Sequence, residues 1–205
     1  SDVLANINMT IKKGETIGIL GGTGSGKSTL MLLLDGLYTP TNGSITLNGV
    51  DISKIKRSEL RKHIGFVLQE PYLFSRTLKD NIRIASDEAS DSDLNEAVET
   101  ASLSAAIKRF KEGFETFVGE RGVTLSGGQK QRTAIAQMLI RKPEIMIFDD
   151  SLSAVDSKTD ATIRKGLKKA SKDATVIIIS HRITTIMGAD KIYVFDDGKV
   201  AEQGS

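Results

Sequence analysis

Ile7, Met9 and Ile11 alternate with polar residues, and with Leu4 ahead of them they predict an opening strand. A short apolar run from Thr16 to Leu20 then ends in glycines, which predicts a second strand feeding a loop. From Lys27 to Leu37 leucines crowd densely enough for a buried helix, closed by Gly36 and by the turn residues Pro40, Asn42 and Gly43. Ser44 to Leu47 and Ile64 to Leu68 read as further strands. Between Pro71 and Arg141 the pattern becomes helical, with Asp91 as N-cap for Leu94 to Ala101 and Ser126 as N-cap for a long helix through Ile140. Strand patterns return at Ile145 to Phe148, Thr175 to Ile179 and Lys191 to Phe195, and Asp197-Gly198 predicts a hairpin turn before Val200. The fold class is therefore α/β, a single domain over residues 1–205. Its core covers 1–70 and 142–205, and a helical subdomain covers about 71–141. There is no internal repeat, low-complexity tract or Pro-rich linker.

Composition narrows the function classes. The 205 residues are enough to bury a core. Lys and Arg total 28 against 26 Asp and Glu, so no broad field captures nucleic acid or an anionic membrane by charge alone. Without cysteine there is no disulfide framework and no thiolate metal site. No apolar run approaches the roughly 20 residues that span a bilayer.

Chemistry enters at GGTGSGKST, residues 21 to 29, where Gly21, Gly26, Lys27 and Ser28 fit the phosphate-loop spacing G-x-x-x-x-G-K-[ST]. Glycines let successive N–H groups turn inward around a phosphate, and the following helix offers the positive end of its dipole. Lys27 is placed to meet the β- and γ-phosphates and Ser28 to ligate Mg²⁺. The phosphate-contacting stretch is thus Gly22, Thr23, Gly24, Ser25, Gly26, Lys27, Ser28 and Thr29, with Mg²⁺ beside it, and this loop alone leaves kinases, GTPases and helicases open as classes. Downstream, the apolar run from Ile145 to Phe148 ends in Asp149-Asp150, where a phosphate-loop protein needs carboxylates. Asp149 is expected to hold Mg²⁺ through water and Asp150 to orient or deprotonate the attacking water.

The phosphate loop, LSGGQKQR at 125 to 132, the Asp149 strand, the Ser153-Ala154-Val155-Asp156 turn and His181 together resemble ATP-binding cassette proteins over essentially the whole chain. The resemblance implies a phosphate-loop NTPase core with a mixed sheet, an antiparallel strand portion and a helical subdomain that carries LSGGQ. It also implies two such domains working head to tail, so that Ser126, Gly127, Gly128 and Gln129 face ATP held by the opposite domain. The glycine-rich helix start suits an anion. By the same resemblance Asp156 lies at the contact between domains, Gln69 touches Mg²⁺ and senses the membrane partner, and His181 contacts the γ-phosphate. His63 has no such context and is given no role.

Val118-Gly119-Glu120-Arg121-Gly122 resembles the loop that exporter-type cassettes set against their transmembrane helices. Gln69 to Phe74, with Leu73 and Phe74 as apolar contacts, resembles a second docking segment. The family usually has glutamate at the position of Asp150. The aspartate carboxylate falls short of the water by about 1 Å, and a misplacement of that size costs roughly 100-fold in rate. The chain then resembles the slow-site half of a heterodimeric multidrug exporter, whose LSGGQ completes its partner's active site. The family's adenine-stacking aromatic ahead of the first strand is absent. The expectation is a domain truncated at both ends, held on the cytoplasmic side of the cell membrane through transmembrane helices outside this sequence. The main reading is a transport ATPase, and the alternative is an ATP-holding regulatory half with little hydrolysis. A soluble cassette protein acting on nucleic acid is disfavoured by the exporter-like loop and by the lack of a basic face.

Overall fold

The computed structural model describes residues 3–120, 124–152, 155–170 and 174–205. In chain order the elements begin with β1 (Thr16–Gly21), α1 (Lys27–Leu34), β2 (Thr46–Leu47), β3 (Val50–Asp51), α2 (Arg57–His63) and β4 (Ile64–Val67). They continue with β5 (Arg76–Thr77), α3 (Leu78–Arg83), α4 (Asp91–Thr100), α5 (Ser104–Ile107), β6 (Phe117–Val118) and α6 (Gly127–Leu139). The chain closes with β7 (Ile145–Asp149), α7 (Ser157–Ala170), β8 (Thr175–Ser180), α8 (Ile183–Ile186), β9 (Lys191–Asp196) and β10 (Lys199–Gly204). A six-stranded sheet runs in the order β10-β9-β1-β8-β7-β4. β1 pairs in parallel with β8 and β9, and β10 pairs antiparallel with β9, so the sheet is mixed.

Two compact units divide the chain. The first comprises 1–65, 144–147 and 174–205, and the second 66–143 and 148–173.

In the first unit β1 is central and covered on both faces, as parallel strands are. Ile17 and Ile19 are fully buried on one face. On the other, a β-carbon at Gly18 would lie 2.8 Å from Cβ of Ile186 in α8, so glycine is what lets this helix seat against the strand. Gly18→Ala should cost about 1–3 kcal/mol through overpacking, read as a lowered denaturant midpoint. An unchanged midpoint would mean that α8 yields without strain. Tyr193 and Phe195 of β9 are buried, and Asp197 (φ 42°) and Gly198 (φ 72°) make the predicted hairpin turn into β10. Two left-handed residues in succession match the twist of the flanking strands.

Three local expectations shift. The opening strand does not form: residues 3–13 belong to no ladder, although burial still alternates and Ile7, Met9 and Ile11 line a 360 Å³ cavity with Leu30, Leu34, Ile45 and Leu47. Alternation reports which side faces apolar neighbours, whereas a strand also needs a backbone partner. Helix α1 stops at Leu34 rather than Leu37, because Gly36 turns left-handed (φ 67°) and Leu37 N–H returns to the Leu32 carbonyl at 2.9 Å. This is a glycine-based helix stop.

The third shift lies in the second unit, where the N-cap of α4 is Ser90 and not Asp91. The Ser90 hydroxyl accepts from Asp93 N–H while the Asp93 carboxylate accepts from Ser90 N–H, a reciprocal capping box. Lys142 Nζ sits 2.6 Å from the same carboxylate, and these contacts hold Asp93 well below the usual carboxylate range. Helix α6 is capped by Ser126 as predicted, and with α3 and α4 it buries Leu78, Ile82, Leu94, Val98, Ile135 and Leu139.

Candidate functional site

The residues singled out from the sequence are distributed over both units. In the first, the chain leaves β1 at Gly21, where a β-carbon would lie 2.5 Å from Ser25 Oγ and 2.7 Å from the Phe195 carbonyl. Only a glycine admits that return of the loop onto the strand end. Gly24 (φ 84°) and Gly26 (φ 98°) are both left-handed, which curves the backbone into a concavity lined by N–H groups. Gly26 then caps α1 without any side-chain acceptor, and the first turn of a helix has N–H groups that no intrahelical carbonyl reaches. Leu4 packs against Gly26, leaving no room there for a β-carbon.

Lys27 folds over this loop. Its Nζ donates to the carbonyls of Gly21 (2.8 Å) and Gly22 (2.6 Å) and to Ser25 Oγ (3.2 Å). A cation is thereby fixed beside a ring of N–H donors at the positive end of a helix, with the Ser28 hydroxyl exposed one residue on. This donor set fits an oligophosphate, and the hydroxyl is the hard oxygen that a magnesium ion takes. The register Leu20↔Ser180 between β1 and β8 puts the exposed His181 just past the strand end that adjoins Gly21. His63 lies with its Nδ1 3.4 Å from Glu144 and its Nε2 3.9 Å from Glu59, a surface arrangement.

In the second unit, Asp149 is the last residue of β7, and Asp150 follows in a left-handed conformation (φ 46°). Aspartate adopts that region far more readily than longer side chains do. Gln69 is exposed two residues after β4. At LSGGQ the Ser126 hydroxyl accepts from Gln129 N–H (3.3 Å), and Gln129 Oε1 accepts from Ser126 N–H (2.8 Å). These two side chains therefore build the helix start, and Gly127 leaves it open to approach. Asp156 is the N-cap of α7: its exposed carboxylate accepts from Thr159 N–H at 3.0 Å, and this bonding lowers its pKa. Ser153 and Ala154 lie outside the described residues, as do Arg121 and Gly122 of the exporter-like loop.

Two expected docking contacts are corrected. Leu73 is fully buried, because the Asn81 amide clamps the neighbouring Phe74 backbone through both its N–H (2.8 Å) and its carbonyl (2.9 Å) and so turns Leu73 inward. Tyr72 and Phe74 are the outward pair, 57% and 40% exposed and stacked edge to face at 5.0 Å, lining a 300 Å³ groove with Pro71, Met138 and Arg141. Val118 is likewise buried, paired with Arg76 in the short β5–β6 ladder, so the outer surface of that loop begins beyond it.

Sequence reasoning passed over the tail of LSGGQKQR. Gln131 is 2% exposed with its Nε2 donating to the carbonyls of Leu68 and Gln69. Arg132 donates to the carbonyls of Gly128 (3.1 Å) and Ser102 (2.9 Å). The available signal was a polar side chain on the buried face of an amphipathic helix, where it needs a partner.

Comparisons with known proteins agree with this set of features. The family model described as ABC transporter matches residues 4–153. The chain is 47% identical over its whole length to a probable multidrug resistance ABC transporter ATP-binding/permease protein, YheI of Bacillus subtilis, spanning 35% of that protein. It is 46% identical over 99% of its length to the alpha-hemolysin translocation ATP-binding protein HlyB of Escherichia coli O157:H7, spanning 29% of it. A bacterial Atm1-family ABC exporter solved with ATP bound superposes with a TM-score of 0.96 at 39% identity, over 99% of this chain and 36% of that one. The chain thus spans about a third of the length of these relatives. Among the described residues no helix is long and apolar enough to cross a membrane. The chain belongs to the ABC transporter family, as a nucleotide-binding domain of the exporter type.

Proposed function

We propose that this domain binds ATP with Mg²⁺ and hydrolyses it to ADP and phosphate, and that the resulting cycle of domain pairing and separation drives an exporter's transmembrane helices. The observation that carries the reading is the Lys27 ammonium held on the glycine loop at the start of α1, a cation and N–H cradle that answers phosphate charge.

In this reading Gly22 to Thr29 hold the phosphates, Ser28, Asp149 and Gln69 take the metal, and His181 contacts the γ-phosphate. The metal ion, when bound, neutralises charge on the phosphate oxygens. Asp150 orients the attacking water. Ser126 to Gln129 present a helix start to nucleotide on a second domain, with Asp156 at that contact. Membrane helices dock on the second unit at the Tyr72–Phe74 groove and the loop after Val118, on the cytoplasmic side of the membrane. The finer part of the proposal is that Asp150, in place of glutamate, makes this domain's own site the slow one of a heterodimer. That reading is favoured over a regulatory half without hydrolysis by the presence of His181 at the position that the family resemblance gives to the γ-phosphate contact.

Gly128→Asp tests the pairing. A carboxylate in the first turn favours the helix, so α6 should survive, while an approaching phosphate is repelled. ATP-dependent association of the two domains in the parent transporter, and its ATP turnover, should fall about tenfold with nucleotide binding at the glycine loop retained. Unchanged association would rule out a phosphate contact at LSGGQ.

A further inference from the structure

Gln131 sits on the buried face of α6, four residues after the signature glycines begin, and nothing in the proposed chemistry uses it. It is 2% exposed. Its Nε2 donates to two successive carbonyls, Leu68 and Gln69, whereas its buried Oε1 has no hydrogen-bond partner. A residue kept only for packing would be apolar here, since an orphaned buried oxygen is a standing cost that methionine or leucine avoids. In an extended strand successive carbonyls point to opposite sides. One amide donating to both therefore defines a bend, and this bend lies where the chain leaves β4 (Ile64–Val67) and exposes the Gln69 side chain. The next residue, Arg132, ties the Gly128 carbonyl of the same helix turn to the Ser102 carbonyl, so the start of α6 is itself anchored within the unit.

We infer that Gln131 is a positioning residue: its amide brace sets the backbone bend at Leu68-Gln69 and so transmits the placement of the signature helix to the Gln69 side chain. The inference rests on the reading of Gln69 as a metal ligand for its catalytic consequence, though not for the brace itself. The residues involved all belong to the second unit, and the brace is distinct from the glycine loop.

The test uses the full-length transporter carrying Gln131→Met, which keeps the side chain's bulk and removes the donor. Without nucleotide, amide hydrogen exchange at Phe66 and Val67, the end of β4 that runs into the bend, should quicken about tenfold, while α6 keeps its protection. The Mg²⁺ concentration for half-maximal ATP hydrolysis should rise about tenfold, with Mg²⁺-free ATP binding unaltered. Unchanged exchange at Phe66 and Val67 overturns the inference, and so does loss of protection throughout α6, which would make Gln131 a packing residue. Faster exchange with an unshifted Mg²⁺ requirement upholds the brace and removes Gln69 from the metal site. Gln131→Glu is the second variant: buried against two carbonyls its carboxyl group stays protonated and keeps one donor, so its Mg²⁺ requirement should shift less than that of Gln131→Met. A shift as large as that of Gln131→Met counts against the brace.

Discussion

Lys27→Ala should lower ATP turnover by the parent transporter on the order of a thousandfold, the scale seen when a group that stabilises developing charge is removed. The size follows from how many tasks the ammonium performs. It is the fixed positive charge of the loop, and its three contacts to the Gly21 and Gly22 carbonyls and to Ser25 Oγ hold the concavity in shape. Alanine removes the charge and leaves two carbonyls without their donor, so phosphate would meet a loop lined by uncompensated oxygens. Arginine should not rescue, because its planar fork cannot make the same three convergent contacts from that stem. Stability is expected to change far less than turnover. The informative measurement is nucleotide binding beside a thermal melt: binding lost with the melt preserved supports the role, and turnover within tenfold of the parent would sink it.

The parts of the fold legible in the sequence are those dictated locally. The glycine loop was readable because its glycines are needed at identifiable left-handed or close-approach positions, Gly21, Gly24 and Gly26. The Ser126 cap was readable because a capping box is written in four consecutive residues, and the Asp197-Gly198 turn in two. What escaped depended on partners distant along the chain. Residues 3–13 show the right alternation and no ladder, since pairing requires a neighbour that periodicity does not name. Leu73 and Phe74 could not be told apart by composition. It is the Asn81 amide, seven residues on, that turns one inward and the other out. For Gln131 the sequence signals that a partner is needed but not which one, since its partners lie 62 and 63 residues away.

Hydrogen bonding also separates two jobs within the signature stretch. In the proposed pairing of domains, Ser126 and Gln129 each accept from the other's backbone N–H, which leaves the glycine N–H groups to meet the phosphate. The motif's polar side chains therefore build and aim a helix terminus rather than coat a ligand. Substitutions at its two ends should differ in kind: at Gly128 the approach of a phosphate is blocked, and at Gln131 a remote bend is loosened.

Asp150→Glu should raise single-turnover hydrolysis at this domain's own site roughly 100-fold, because the added methylene moves the carboxylate by about 1 Å towards the water it must orient. A counter-term comes from the backbone. Asp150 sits at φ 46°, a region that aspartate tolerates and glutamate resists, so the substitution should cost about 1 kcal/mol of stability. The two quantities are separate: the fold loses about 1 kcal/mol, while a 100-fold rate increase corresponds to a barrier lower by about 2.7 kcal/mol. Rate and melting temperature should therefore move in opposite directions, a signature that neither a general loss of fold nor a general improvement in packing would produce. The measurement is hydrolysis of bound ATP by the full transporter, with the partner domain's own site inactivated. A rate left unchanged by glutamate would show that Asp150 already reaches the water, and the slow-site reading would then fail even though the domain remained an ATPase.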